Sequence, residues 1–342
     1  MKDHVSREFT IIRFDCLAYP VVCYPSMAAL MKSVLQDFRQ GWDYLLEVTV
    51  PEQLVVANGG KLLGKKRANG EVTYSYKNIK PAWRIDACIA KYGVLENDGA
   101  PPRVFFLSEH KAAAETVFSA LAKSTDLFSK WFGPLSGLEG LTVIEVPSGY
   151  GSQTDVTCIL QEAEAFKGEL HSLYHEVSHL WNPPPLDPNP SRFESEGLAC
   201  FLEYLLAERL DSKAGSLQKG LALYRKRFRA QCRRNPKLKD VPIAQYGTQD
   251  CTEASYTKGA IAFWLLYRLV AEQTFIDTYR SFYQEYAGKG ATLEDFIATV
   301  KNVSGKDLQK FFDEWIYGTQ SSNYLLDGLS LEQILELYVV EQ

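Results

Sequence analysis

The chain has 342 residues, enough for two domains with well-buried cores. Its formal net charge is -5 and 46% of its residues are hydrophobic, the balance of an ordinary globular protein with no general affinity for nucleic acid. No run approaches the roughly 18 consecutive apolar residues of a membrane span, and the N-terminal MKDHVSREFTIIRFD lacks a signal peptide's apolar core, so the reading is a cytoplasmic protein without a membrane partner. The seven cysteines (Cys16, Cys23, Cys88, Cys158, Cys200, Cys232 and Cys251) include no CxxC pair, which fits reduced thiols better than a disulfide framework or a cysteine zinc site.

Residues 1–97 read as a β-rich domain, with half-buried strands over 44–50 and 71–76. Asn58-Gly59-Gly60 and Asn69-Gly70 are turn signals between such runs. The polar segment from Asn97 to Pro102 predicts a hinge and a domain boundary. Beyond it come a strand over 103–107, a helix over 112–132, and strands over 141–146 and 155–160. From Ala163 the pattern turns mainly helical, and Ser304-Gly305-Lys306-Asp307 reads as a helix start before the amphipathic Leu308, Phe311, Phe312 and Trp315. The expected division is therefore 1–97, 98–322 and a C-terminal tail over 323–342. The basic run from Tyr224 to Arg229, continued by Arg233, Arg234, Lys237 and Lys239, reads as a solvated helix face and its exit loop, with a site for acidic substrates or an acidic partner as the other reading.

The chemistry concentrates at His175-Glu176-Val177-Ser178-His179. The surrounding stretch 162–181 holds good helix formers, with Gly168 as the exception. Positions i and i+4 of a helix lie about 40° apart around the axis, so both imidazoles can approach one Zn²⁺. Glu176 lies at the edge of the same face, close enough to serve as general base without being a ligand. A hydrolytic zinc needs a third protein ligand and an open fourth position. Glu196 is the expected third ligand and Glu194 its competitor, because Ser191 and Glu194 form a capping-box pattern that would start a second helix there. The Pro-rich loop over 182–190 lets the chain turn back between the two helices. His171 shares the face of His175 but sits a turn too far along, and reads as a packed or hydrogen-bonded histidine.

These residues resemble the aminopeptidase N family of zinc aminopeptidases, within the gluzincins. The pattern HExxHxW is met by the run from His175 to Trp181, and a family-like helix opening by Glu196-Gly197-Leu198-Ala199-Cys200-Phe201-Leu202-Glu203. The family's Tyr-x-Lys-Gly motif is met by Tyr256-Thr257-Lys258-Gly259. Weaker likeness extends over roughly residues 10–320, including Glu47-Val48-Thr49-Val50-Pro51 and Phe311-Phe312-Asp313-Glu314-Trp315. The resemblance implies an α+β fold, with a β-rich, saddle-like N-terminal domain followed by a thermolysin-like, mainly helical catalytic domain. It also implies one zinc per chain, a peptide substrate and Tyr256 as oxyanion stabiliser. One motif departs. Where the family's Gly-x-Met-Glu-Asn supplies a carboxylate for the substrate's free amino group, this chain has Gly151-Ser152-Gln153-Thr154-Asp155. Gly151, Gln153 and Asp155 are the candidate substrate-binding residues, and Thr154 stands where the amine-binding carboxylate belongs.

The leading expectation is a zinc metallopeptidase, aminopeptidase-like. The other readings are a non-peptidase zinc hydrolase on the same scaffold, which the altered 151–155 strand suggests, and a catalytically silent binding protein that keeps zinc for structure. Glu176 and Tyr256 both stand, which argues against silence.

Overall fold

The computed structural model describes residues 4–13, 41–82, 84–97, 100–135, 141–155 and 158–339. Cys16 and Cys23, and Asp98 and Gly99 of the expected hinge, lie outside the described residues. Two compact units form: Met1–Asp126 with Leu135–Leu180, and Leu127–Pro134 with Trp181–Gln342.

The strands lie in the first unit, in chain order β1 (Phe9–Ile12), β2 (Leu45–Pro51), β3 (Val55–Asn58), β4 (Lys61–Ala68), β5 (Glu71–Lys77), β6 (Ala87–Ala90), β7 (Tyr92–Asn97), β8 (Ala100–Leu107), β9 (Thr142–Val146), β10 (Gln153–Asp155) and β11 (Cys158–Glu162). They build sheets of order β1-β6-β3, β2-β5-β4 and β10-β11-β9-β8-β7. β5 shows why the middle sheet forms: Val72, Tyr74 and Tyr76 alternate onto one buried face and pack with Val50 and Val56. Its turn is set by Asn69 (φ 54°) and Gly70 (φ 78°), the left-handed pair that a two-residue hairpin demands. In the five-stranded sheet β9 is buried along its whole length and runs parallel to both β8 and β11, which accounts for its nearly unbroken apolar run. The exception, Glu145, accepts from the Leu107 N–H at 2.8 Å and meets His110 Nδ1 at 2.5 Å.

The strand expected over 155–160 is two strands. β10 and β11 are antiparallel, with Asp155 opposite Cys158, so the chain reverses within that stretch. Three-residue β10 is too short to show an alternation of its own, and its polar residues read as the start of the next run.

The helices are α1 (Lys111–Phe132), α2 (Ala163–Lys167), α3 (His171–Ser178), α4 (Leu198–Leu210), α5 (Ser216–Arg234), α6 (Ala260–Val270), α7 (Glu272–Tyr286), α8 (Leu293–Ser304), α9 (Gln309–Phe312), α10 (Gln320–Leu326) and α11 (Leu331–Glu336). The second unit is helical because α6 and its neighbours carry long apolar runs: Ile261, Phe263, Trp264 and Leu265 are buried, and Phe263 meets Phe193, Phe275 and Phe296. Ser304 and Gly305 end a helix rather than start one. α8 opens on a Thr292–Asp295 capping box and closes on Gly305 at φ 61°, the left-handed stop that glycine favours. The segment carries stop and start signals together, and the next helix begins only at Gln309. Leu308, Phe311, Phe312 and Trp315 are buried as the pattern requires.

Two members of the basic run are not idle surface charge. Arg225 and Arg229 donate to the Leu325 carbonyl at 3.2 and 2.9 Å, and so cap the C-terminal end of α10. The fold is α+β, with a β-rich N-terminal part, and among the described residues no helix is long and apolar enough to cross a membrane.

Candidate metal centre

In the first unit the expected helical stretch 162–181 is broken at Gly168. There the backbone turns to φ -89°, ψ -142°, and a Cβ would lie 2.7 Å from the Glu164 carbonyl oxygen. α3 then starts afresh. Leu173, Tyr174 and Val177 are buried and anchor one side of it. His175 and His179 project together: their rings are 4.9 Å apart between centroids and 84° between planes. His179 caps the helix and opens a 3₁₀ turn, His179–Trp181. His171 Nδ1 lies 3.7 Å from the Glu169 carboxylate.

Glu176 is only 8% exposed. Its carboxylate Oε2 is 2.6 Å from the Thr154 hydroxyl, which is also 2.9 Å from the Glu176 backbone oxygen. Strand alternation on β10 sends the neighbouring side chains the other way. Gln153 Oε1 accepts from Arg84 at 2.9 Å, and Asp155 joins Tyr44, Asn78, Lys80 and Asp86 around a small cavity. Arg84 itself pairs with Asp86 at 2.7 Å. Burial raises the Asp86 carboxyl to about 6, with Arg84 opposing that shift. The Gln153 and Asp155 side chains thus belong to a buried polar cluster within their own unit. Gly151 stands at φ 73° with open space where a Cβ would be.

The second unit carries Glu196 and Tyr256, and both sit in wide, π-helical turns, Phe193–Gly197 and Ser255–Gly259. Such turns recur at functional sites because they re-aim one side chain without ending a helix. The two turns touch through glycine. A Cβ on Gly259 would lie 3.0 Å from the Gly197 Cα, and one on Gly197 would lie 3.1 Å from the Gly259 Cα. The Ser255 hydroxyl adds a bond to the Ser191 carbonyl.

The expected Ser191–Glu194 capping box is absent from this turn. Ser191 Oγ accepts from the Phe193 N–H at 3.2 Å, and Arg192 at φ 63° precedes the turn in the left-handed region. That conformation displaces the register a box would need. Burial pushes the Glu194 carboxyl up to about 7, with Asp187 adding to the shift. Glu196 is buried and pairs with Arg192 one turn back. The same guanidinium lies 5.4 Å from the centre of the Tyr256 ring. Arg192 is therefore a residue of the region that motif reading passed over, although its i, i+4 spacing to Glu196 is a usable signal. Tyr256 is half-buried and packs on Cys200, Tyr224 and Ala260. Lys258 is fully buried; desolvation lowers its amine to about 7, and Nζ donates to Ser322 Oγ at 3.1 Å.

Residues 167–315 match the sequence model of the Peptidase family M1 domain. Aminopeptidase M1-D of Oryza sativa subsp. japonica is 20% identical over 320 residues, covering 84% of this chain and 35% of its own length. Among solved structures, an M1 zinc metallopeptidase from Deinococcus radiodurans aligns with a TM-score of 0.62 at 19% identity, over 80% of this chain and 63% of that one. A variant of that enzyme bound to a Tyr-Ser-Ala substrate aligns with a TM-score of 0.58 at 18% identity, over 84% of this chain and 64% of that one. The chain thus spans about a third of the curated relative and just under two thirds of these solved structures. At such identities the structural likeness speaks for the fold. Residues 167–315, the part of the chain that matches the Peptidase family M1 domain, include the histidine helix and the turns bearing Glu196 and Tyr256.

Proposed function

We propose that this chain is a zinc metallopeptidase that hydrolyses peptide bonds, aminopeptidase-like, with one zinc per chain held by His175, His179 and Glu196. The observation that carries this reading is the pair of imidazoles on one face of α3 with the buried carboxylate of Glu176 between them in sequence. The donor chemistry fits. Two imidazoles and one carboxylate are a set that zinc takes in hydrolytic sites, with a fourth position open. When bound, zinc supplies Lewis-acid polarisation of the scissile carbonyl and makes water a nucleophile at neutral pH.

The protein's own groups do the rest. Glu176 accepts a proton from the attacking water as the C–O bond forms. It then delivers that proton to the leaving nitrogen as the C–N bond breaks. Tyr256 donates its hydroxyl to the oxyanion of the tetrahedral intermediate, where negative charge exists only after attack. The substrate lies along β10, which has a strand partner on one side only among the described residues. Gly151, Gln153 and Asp155 serve it through backbone groups, since the Gln153 and Asp155 side chains belong to the Arg84–Asp86 cluster. The test is Glu176→Gln. Gln keeps the shape and cannot take a proton, so metal analysis finds one zinc per chain while peptide hydrolysis falls by about 10⁴. Near-normal turnover removes Glu176 from the base role.

A further inference from the structure

We infer that Thr154 is a positioning residue for Glu176. Its hydroxyl holds one carboxylate oxygen, Oε2, and so dedicates the other, Oε1, to the attacking water. The inference rests on the base role proposed for Glu176.

The hydroxyl has a single proton and two acceptors within reach, Oε2 at 2.6 Å and the Glu176 backbone oxygen at 2.9 Å. The shorter distance, and the charge of an ionised carboxylate, assign the proton to Oε2, because hydroxyl-to-carboxylate bonds fall in this short range. The 2.9 Å approach to the carbonyl sets Thr154 directly against α3. A free glutamate side chain samples several rotamers, and holding it in one costs entropy that a bond to a fixed donor offsets. Thr154 is such a donor. Its β-branched side chain is stiff about χ1, and its strand is clamped by the Thr154–Ile159 pairing with β11 and by Ser152 Oγ, which accepts the Glu162 N–H at 3.1 Å. A side chain that must transfer a proton twice in one turnover gains from staying in one place, and Glu176 has little room to be re-sorted by solvent at 8% exposure. A neutral hydroxyl at this position also brings no negative charge to offset the lost hydration of a substrate ammonium. The position therefore trades a substrate anchor for control of the base.

The test compares Thr154→Val, nearly the same shape without the hydroxyl, and Thr154→Ser, the hydroxyl without the methyl. Thr154→Ala is a second hydroxyl-free variant should Val fold poorly. In crystal structures of the zinc-loaded proteins, the Glu176 carboxylate keeps one position in wild type and Ser and spreads over more than one in Val or Ala. In peptide assays Val and Ala lose about tenfold in kcat with KM nearly unchanged, the scale of losing a group that orients a reactive side chain, and Ser recovers most of the loss. A single, unmoved Glu176 carboxylate in Val and Ala overturns the assignment, as does an unchanged kcat. A zinc-loaded wild type that hydrolyses no peptide sinks the peptidase reading instead, and the Glu176 position in the variants still decides the role of Thr154.

Discussion

The two units carry the proposed functional residues on opposite kinds of local structure. In the first, His175 and Glu176 sit on a short regular helix that His179 caps, and the approach of the two imidazoles follows from local spacing. In the second, Glu196 and Tyr256 sit on two π-helical turns from distant parts of the sequence, joined by a glycine–glycine contact. The first arrangement needs only a helix to be right. The second needs two departures from regular geometry to be right together. The difference predicts that the histidine side tolerates changes around it better than the turn side does.

The largest expected effect of breaking the turn side comes at the reacting group. Tyr256→Phe keeps the ring and its packing on Cys200 and Ala260 but removes the hydroxyl, so zinc content is unchanged and kcat falls by roughly 10²–10³. An unchanged kcat would leave Tyr256 as a packing residue. Next comes the contact beneath it. In Gly259→Ala the new methyl group meets the Gly197 Cα, a backbone atom with no rotamer to yield, so the turns must part. The expected loss is about 1–3 kcal/mol of stability, the usual overpacking penalty, with a further drop in kcat of about tenfold. A matched Ser178→Ala on the histidine helix removes only a hydroxyl that donates back to the His175 carbonyl at 2.7 Å, and costs less on both counts. If Gly259→Ala is the milder of the two, the comparison fails.

The smallest effect concerns the substrate's end. An ammonium group entering a cleft needs a carboxylate to offset its lost hydration. By the resemblance Thr154 stands where the aminopeptidase N family carries that carboxylate, its hydroxyl brings no charge, and the Asp155 side chain lines the cavity with Tyr44 and Asp86. Matched peptides with free and acetylated N-termini should therefore differ in kcat/KM by less than about tenfold. A preference of roughly 10³ or more for the free amine, about 4 kcal/mol, would show a carboxylate anchor that this account lacks.

What could be read from the sequence follows the same divide. The α1 span, the β5 strand with its Asn69-Gly70 turn and the facing histidines all depend on neighbours within a few residues, where periodicity and turn chemistry are written directly. The break at Gly168, the β10–β11 reversal and the stop at Gly305 were single-residue decisions inside stretches whose average pattern pointed elsewhere. The Ser191–Glu194 box failed for a related reason. Arg192 takes a left-handed conformation that its identity does not announce, and the turn after it widens around a contact with Gly259. Likewise no local pattern tells that Thr154 meets Glu176. Each of these depends on partners brought together only by the fold.

The proposed metal centre depends most on its third protein ligand. Glu196 is buried beside Arg192 in the second unit, and Glu194, its competitor, sits two residues before it in the same turn. Zinc content and zinc affinity, measured by elemental analysis and chelator competition on Glu196→Gln and Glu194→Gln, separate the two directly. The account predicts that Glu194→Gln purifies with one zinc per chain and that Glu196→Gln loses its metal to the chelator at least about a hundredfold more readily, since a charged ligand becomes neutral. The reverse result, metal kept by Glu196→Gln and lost by Glu194→Gln, would contradict it.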